Sequence, residues 1–220
     1  MNRAELARTI DHTLLKPDAS RAPLERLCEE AKRYGVASVC VNGARVVDAA
    51  ALLEGSGVPV AAVVGFPLGA AQTEIKAAEA AQVVEDGAAE IDMVLNVGWA
   101  KDGDWERVRA DVAAVVAAAP GVPVKVILET CLLTDDEKRR ACEESVAAGA
   151  AFVKTSTGFA GGGATVEDVR LMRAAVGDRA KVKASGGMRD TAAALAMLEA
   201  GADRLGMSAT VAVLEGCPAD

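Results

Sequence analysis

A (β/α)8 barrel of the TIM type, preceded by a short N-terminal helix, is the α/β fold this sequence predicts, on three observations. Short β-branched runs alternate with alanine-rich stretches of helical periodicity along the whole chain. Strands alternating with helices pair in parallel through right-handed crossovers. Eight such units of about 27 residues each fit the 220 residues as one domain, 1–220. The strands are also two-sided. A doubly wound open sheet would bury both strand faces in apolar residues. Here Ile91, Met93 and Leu95 share one face while Glu90, Asp92 and Asn96 share the other. Val124, Val126 and Leu128 oppose Lys125, Ile127 and Glu129, and Val182 and Ala184 oppose Lys181 and Lys183. Apolar side chains facing helices and charged ones facing a barrel axis account for that pattern.

The elements follow in order. Asn2, with Glu5 three residues on, opens the first helix in the capping-box pattern. A short strand at 9–11 leads to a helix at 20–34. Strands at 36–41 and 59–64 precede a helix at 72–85. A strand at 90–95 and a helix at 104–119 come next, then a strand at 123–128 and a helix at 134–148. Strands at 151–154, 180–184 and 203–206 complete the set, with helices at 166–176 and 191–200 between them and a last helix opening after Ser208. Gly35, Gly87, Gly149, Gly177 and Gly201 punctuate helix ends, where a left-handed residue stops the chain.

Composition narrows the function. A net charge of −8 argues against nucleic acid as a partner and requires local donors for any anionic substrate. The apolar runs fall far short of the roughly 20 residues that span a bilayer, and the N-terminus lacks the apolar core of a signal peptide, so a cytoplasmic location is expected. The cysteines Cys28, Cys40, Cys131, Cys142 and Cys217 have no metal-ligand spacing, and His12 is the single histidine, so no metal site is expected. A homo-oligomer is left open, because barrel helices can face solvent or a partner.

Active sites of such barrels lie at the C-terminal strand ends. Read in order, these ends carry Asp11, Cys40 with Asn42, Phe66, Asp92 with Asn96, Glu129, Lys154, Lys183, and Gly206 with Ser208. Lys154 and Lys183 each close an apolar run before a glycine-bearing turn. An amine beside another cation in a partly dry site loses proton affinity and can attack a carbonyl. Asp92 is either the salt-bridge partner of a buried lysine or a proton shuttle beside the amine. Gly186 and Gly187 after the seventh strand, with Gly206 and Ser208 at the eighth, form a candidate anion site, and the loop from Gly158 adds to it. Arg189 and Arg204 are phosphate candidates or surface charges. Lys125 is a third amine, or a buried charge paired with Glu129 or Asp92. Cys40 reads as a small wall residue beside the substrate, and His12 as a structural histidine. Lys181 is expected near the barrel bottom, and Lys16 and Lys76 on solvated faces.

Eight segments carry a resemblance over nearly the whole chain: DHTLLKP (11–17), VCVNG (39–43), VGFPLG (64–69), EIDMVLNVG (90–98), KVILET (125–130), FVKTSTGF (152–159), KASGGMR (183–189) and RLGMS (204–208). In order and spacing they resemble the deoxyribose-phosphate aldolase family. The resemblance implies a cofactor-free class I lyase that reversibly cleaves 2-deoxy-D-ribose 5-phosphate to D-glyceraldehyde 3-phosphate and acetaldehyde. It also implies that Lys154 forms the Schiff base. Lys183 is then the neighbouring cation, and Asp92 its acid/base partner acting through a water. Gly186, Gly187, Gly206 and Ser208 match phosphate-binding positions, and Asp11, Cys40, Thr155 and Gly158 complete the expected substrate contacts. Met207 and Thr210 depart from the commoner residues at those positions, and with no tyrosine in the segment that ends at Asp220, either the help of a tail tyrosine is absent or the chain lacks its tail. Two alternatives stay open: a Schiff-base aldolase for another phosphorylated sugar or keto acid, and a sugar-phosphate isomerase or silent binding relative on the same fold.

Overall fold

A computed structural model describes residues 1–218; the last two residues, on which the tail expectation partly falls, lie outside the described residues. Strands Ile10–Leu14 (β1), Ser38–Val41 (β2), Val60–Val64 (β3), Glu90–Val94 (β4), Val124–Ile127 (β5), Phe152–Lys154 (β6), Lys181–Ser185 (β7) and Arg204–Met207 (β8) pair in parallel and in sequence order. The pairing of β8 with β1 closes the barrel. Helices Arg3–Ala7 (α1), Arg21–Tyr34 (α2), Val46–Leu52 (α3), Thr73–Glu85 (α4), Val97–Lys101 (α5), Trp105–Ala118 (α6), Asp135–Ala147 (α7), Val166–Val176 (α8), Thr191–Glu199 (α9) and Thr210–Glu215 (α10) surround it.

Local chemistry sets these boundaries. The Asn2 side chain accepts from the Glu5 N–H and Glu5 accepts from the Asn2 N–H, each at 2.8 Å, which satisfies two donors that a helix start leaves over. Thr134 and Glu137 repeat the device on α7. Gly35 stops α2 at φ 62, a left-handed conformation that costs a glycine little. Two short helices, α3 and α5, were not expected. The first opens on a Val-Val pair that looks like strand, and the second is a five-residue turn whose N-cap is Asn96, bonded to the Trp99 N–H at 3.2 Å.

The alternation of the strands sorts two environments. Ile91, Met93, Val124, Val126, Val153, Val182 and Leu205 point outward into one continuous apolar layer with the helices. Inside the barrel, Cys40, Ala61 and Val63 from β2 and β3 form a small apolar group with Leu15, against which Phe66 packs. The remaining strands contribute charges to the interior. Strand register places Asp92 beside Lys125, Lys125 beside Phe152, Lys154 beside Lys183, and Lys183 beside Arg204.

Lys76, expected on a solvated face, is fully buried between α4 and α6. Its ammonium donates to Asp111 Oδ2 at 2.7 Å and to the Val94 carbonyl at 3.0 Å. A partner 35 residues away in sequence leaves no local pattern to read.

Candidate active site

A cavity of about 710 Å³ opens at the C-terminal end of the barrel. Lys154 reaches it from the end of β6, Gly158 from the following turn, Ser185, Gly186 and Gly187 from the end of β7, and Gly206 and Ser208 from β8 and its turn. Thr13, Lys16, Thr157, Phe159 and Arg189 also line it. Among these, Lys16 is exposed, as expected, and also stands on the wall of the cavity. Arg189 stands where an anion donor would.

Beneath Lys154 lies a buried ion cluster. Lys154 Nζ is 2.6 Å from Asp92 Oδ2, and Lys183 Nζ is 2.6 Å from the same oxygen. Lys183 also donates to Asp11 Oδ2. Lys125 Nζ is 2.8 Å from Asp92 Oδ1 and 2.6 Å from Glu90 Oε2. Arg204 Nη1 donates to Asp11 Oδ1 at 2.6 Å, and its Nη2 to Glu90 Oε1 at 3.2 Å. If every group were ionised, Asp11, Glu90 and Asp92 would face Lys125, Lys154, Lys183 and Arg204, one positive charge in excess. An uncompensated charge away from water is costly, so the excess bears most on the group that holds its proton least.

That group is Lys154. Burial lowers its proton affinity and the Lys183 ammonium lowers it further, and the attraction of Asp92 does not make up the loss. Burial also opposes charge on Lys183, but Asp11 and Asp92 together outweigh it and its proton is held more tightly than usual. Lys125 is raised in the same sense, with Asp92 as the main attraction against burial. Burial opposes ionisation of Asp92 too, yet Lys125, Lys154 and Lys183 hold it well below the carboxylate range. The three amines therefore differ through their partners and access.

Several expected contacts lie elsewhere. Asp11 was expected at the mouth, but β1 runs on to Leu14, so Asp11 sits deeper, fully buried, with both oxygens held by cations. Arg204, weighed as a phosphate donor, points into the interior at the start of β8 and pairs with Asp11 and Glu90. Lys125 pairs with Asp92 and Glu90, whereas Glu129 accepts from the Thr157 N–H at 3.3 Å and from its hydroxyl. Thr155 is buried and turned inward, exchanging hydrogen bonds with the Ser185 backbone at 3.0 and 3.2 Å. Cys40 stands in the inner wall with Sγ 4.0 Å from Asp92, its thiol pushed up to about 11 by burial and by that carboxylate. His12 faces outward and pairs with Glu30 at 2.8 Å. Lys181 lies exposed at the bottom, as expected.

The glycine turns meet backbone to backbone. Gly186 and Gly187 have φ of 83 and 85, and a Cβ on Gly163 would stand 2.8 Å from the Gly186 carbonyl. The Ala164 N–H bonds the carbonyls of Ser185 and Gly186 at 3.0 and 3.1 Å, which ties the two turns together. Asp190 already caps α9 through the Ala193 N–H at 2.8 Å, whereas Ala209 at the start of α10 offers no capping side chain. The cavity beside Gly186, Gly187 and Ser208 is lined by Lys16 and Arg189 and by no carboxylate.

Sequence reasoning named Glu129 as a strand-end carboxylate and an alternative partner of Lys125, and gave no role to Thr157. Glu129 is the one described non-glycine residue with positive φ, at 58, and it follows β5. Its carboxylate holds Thr157, and the Thr157 hydroxyl accepts from the Phe159 N–H at 3.0 Å. The Phe159 ring meets Phe66 edge-on across the mouth, with centroids 5.2 Å apart. A carboxylate at a strand end was the available signal, but its partner lies 28 residues on.

The profile of the DeoC/LacD family of aldolases matches residues 6–215. A deoxyribose-phosphate aldolase of Bacillus licheniformis is 58% identical over 217 residues, covering 98% of this chain and 97% of its own. One from Carboxydothermus hydrogenoformans is 56% identical, covering 98% of this chain and 96% of its own. Among solved structures, the tetrameric deoxyribose phosphate aldolase of Aeropyrum pernix superposes with a TM-score of 0.91 at 38% identity, over 97% of this chain and 91% of that one.

Proposed function

This chain belongs to the DeoC/LacD family of aldolases, and on that premise we propose that Lys154 is its Schiff-base nucleophile. The reaction is the reversible cleavage of deoxyribose phosphate, the activity that names the curated relatives. The observation that carries the assignment of Lys154 is its combination of two properties. It is the one amine of the buried cluster that reaches the cavity, and it is held below the ordinary lysine range by burial and by Lys183.

Neutral Lys154 attacks the C1 aldehyde of open-chain 2-deoxy-D-ribose 5-phosphate, and loss of water gives an iminium. The C3 hydroxyl then gives its proton to the Asp92–Lys183 pair as the C2–C3 bond breaks. The bonding electrons flow into the iminium to leave an enamine. D-glyceraldehyde 3-phosphate departs, the enamine takes a proton at C2, and hydrolysis releases acetaldehyde and regenerates the amine. Asp92, bonded to both lysines through one oxygen, is placed to relay protons between them, and such help is worth about 10² to 10⁴ in rate. The Gly186, Gly187, Gly206 and Ser208 turns hold the phosphate, with Gly158 on the facing turn. Binding energy from that remote group positions the reacting carbons. Cys40 and Thr155 back the inner wall, and Asp11 acts on substrate only through Lys183.

The same reading takes residues 1–220 as one domain that works in the cytoplasm as a homo-oligomer. It is supported by the absence of any described helix long and apolar enough to cross a membrane, by free thiols at all described cysteines, and by the tetrameric relative. Intact mass after incubation with acetaldehyde and borohydride, followed by peptide mapping, tests the chemistry. A single two-carbon adduct on Lys154 is expected. An adduct on Lys183 would keep the aldolase and reverse the two lysines. A folded protein without an adduct would end the Schiff-base reading, and trapping of pyruvate or dihydroxyacetone in place of acetaldehyde would point to another donor.

A further inference from the structure

Six of the seven members of the ion cluster do not line the cavity, and two of these stand farthest down the barrel. Glu90 opens β4 and Arg204 opens β8, both at the floor of the barrel. They bond each other, Glu90 reaches Lys125 at 2.6 Å, and Arg204 reaches Asp11 at 2.6 Å. Asp11 and Lys125 in turn touch Lys183 and Asp92, the groups that surround Lys154. Two chains of contacts thus run from the floor to the amine. The Phe152 ring fills the space among them, 5.8 Å from the Lys125 and Arg204 charges and 5.6 Å from Lys181.

Every titratable group around Lys154 can be named by strand. Asp11 comes from β1, Cys40 from β2, Glu90 and Asp92 from β4, Lys125 from β5, Lys183 from β7 and Arg204 from β8. From β3 come Ala61 and Val63 alone. Lys181 is exposed at the bottom, Glu129 is turned to Thr157, and the Cys40 thiol is neutral near pH 7. With Lys154 uncharged the cluster balances at three carboxylates and three cations. Removing a floor charge unbalances it by one, at side chains only 12% (Glu90) and 17% (Arg204) exposed, where salt screens less than at the open surface.

We propose that Glu90 and Arg204 are positioning residues that set the charge balance beneath Lys154, and with it the pH above which that amine attacks a carbonyl. The proposal rests on Lys154 as the nucleophile. It requires that loss of either residue move the pH dependence, and in opposite directions. Without Arg204 a positive charge disappears and Lys154 keeps its proton to higher pH. Without Glu90 a negative charge disappears and Lys154 gives up its proton at lower pH.

The test is the pH midpoint of borohydride-trapped acetaldehyde adduct on Lys154, with wild type and variants in the same buffers. Arg204→Gln is expected to raise the midpoint by on the order of one pH unit, and Glu90→Gln to lower it by a similar amount. The double variant, which removes one charge of each sign, is expected to return near wild type. Arg204→Lys, which keeps the charge, is expected to stay there too. Two single variants that shift the same way, or not at all while folded by circular dichroism, would overturn the proposal. Should Arg204→Gln fail to fold, the downward shift of Glu90→Gln and its cancellation in the double variant decide the matter. A wild-type protein without any adduct would instead sink the proposed function, and this inference with it.

Discussion

Among the described residues the protein buries lysines in two places, and only one of them opens onto a cavity. Lys76, between α4 and α6, meets a single carboxylate, Asp111, whose other oxygen accepts from the Thr73 hydroxyl at 2.9 Å. The pair is matched one to one and has no opening. Lys154 shares one oxygen of Asp92 with Lys183, within a cluster that holds more cations than carboxylates, and it faces a cavity. Burial lowers the proton affinity of both amines. What separates them is access and the charge count around them, so burial alone does not identify a nucleophile.

Substitutions can break that contrast at either end. The largest effect is expected for Lys154→Ala, which should lower turnover by about 10⁴-fold or more and abolish the adduct, while circular dichroism stays unchanged. Retained trapping at another lysine would transfer the role. Asp92→Asn should cut kcat by roughly 10² to 10⁴ through loss of proton relay. It should also move the trapping midpoint to lower pH, since a negative charge beside Lys154 is gone. Asp111→Ala should do neither and should act on stability instead. Breaking a buried pair costs about 3 to 5 kcal/mol, to be read in chemical denaturation, and the trapping midpoint of Lys154 should hold. If that midpoint moved as far as in Asp92→Asn, the two ion groups would not be independent.

Acid sharpens the same comparison. Asp11 and Asp92 are both held below the carboxylate range, chiefly by Lys183 and Lys125 respectively, against the opposing effect of burial. Their folded-state proton affinity is lower than in the unfolded chain. The stability they contribute is complete above an unfolded value of about 4 and is lost as pH falls below it. Melting temperature should therefore fall as pH drops from about 5 toward 2, and the fall should be shallower in Asp11→Asn. The smallest effect is expected for Glu129→Gln, a few-fold rise in KM with kcat nearly kept, because Thr157 retains an acceptor for its N–H while its turn loosens.

Much of this was legible in the sequence because alternation and punctuation are local. The eight strands, the major helices and the glycine stops follow from patterns a few residues long. The lysines of β6 and β7 and the carboxylate of β4 announced themselves as charges on strand faces. The same alternation, applied to β8, would have turned Arg204 inward with Gly206, two residues away. Asp11 was misjudged in depth because β1 continues through Thr13, whose pairing with Cys40 extends the strand. Lys76 was out of reach, since its partner lies on another helix and α4 carries no sharp apolar stripe. Glu129 shows a further limit: its left-handed backbone is set by where the β6 turn must stand, and no residue beside it in sequence encodes that.

Gly206 and Phe152 together have a consequence for traffic. The missing side chain at Gly206 leaves room for Lys183, whose Cε would stand 2.9 Å from a Cβ there, and the Phe152 ring closes the space below. The cavity is thus a blind well with Lys154 near its bottom and Gly187, Arg189 and Ser208 at its rim. A two-carbon fragment must arrive before the larger aldehyde and can leave only after it. In the direction of synthesis the order of addition is then imposed by the shape of the well, and an acceptor aldehyde that arrives first acts as its own inhibitor.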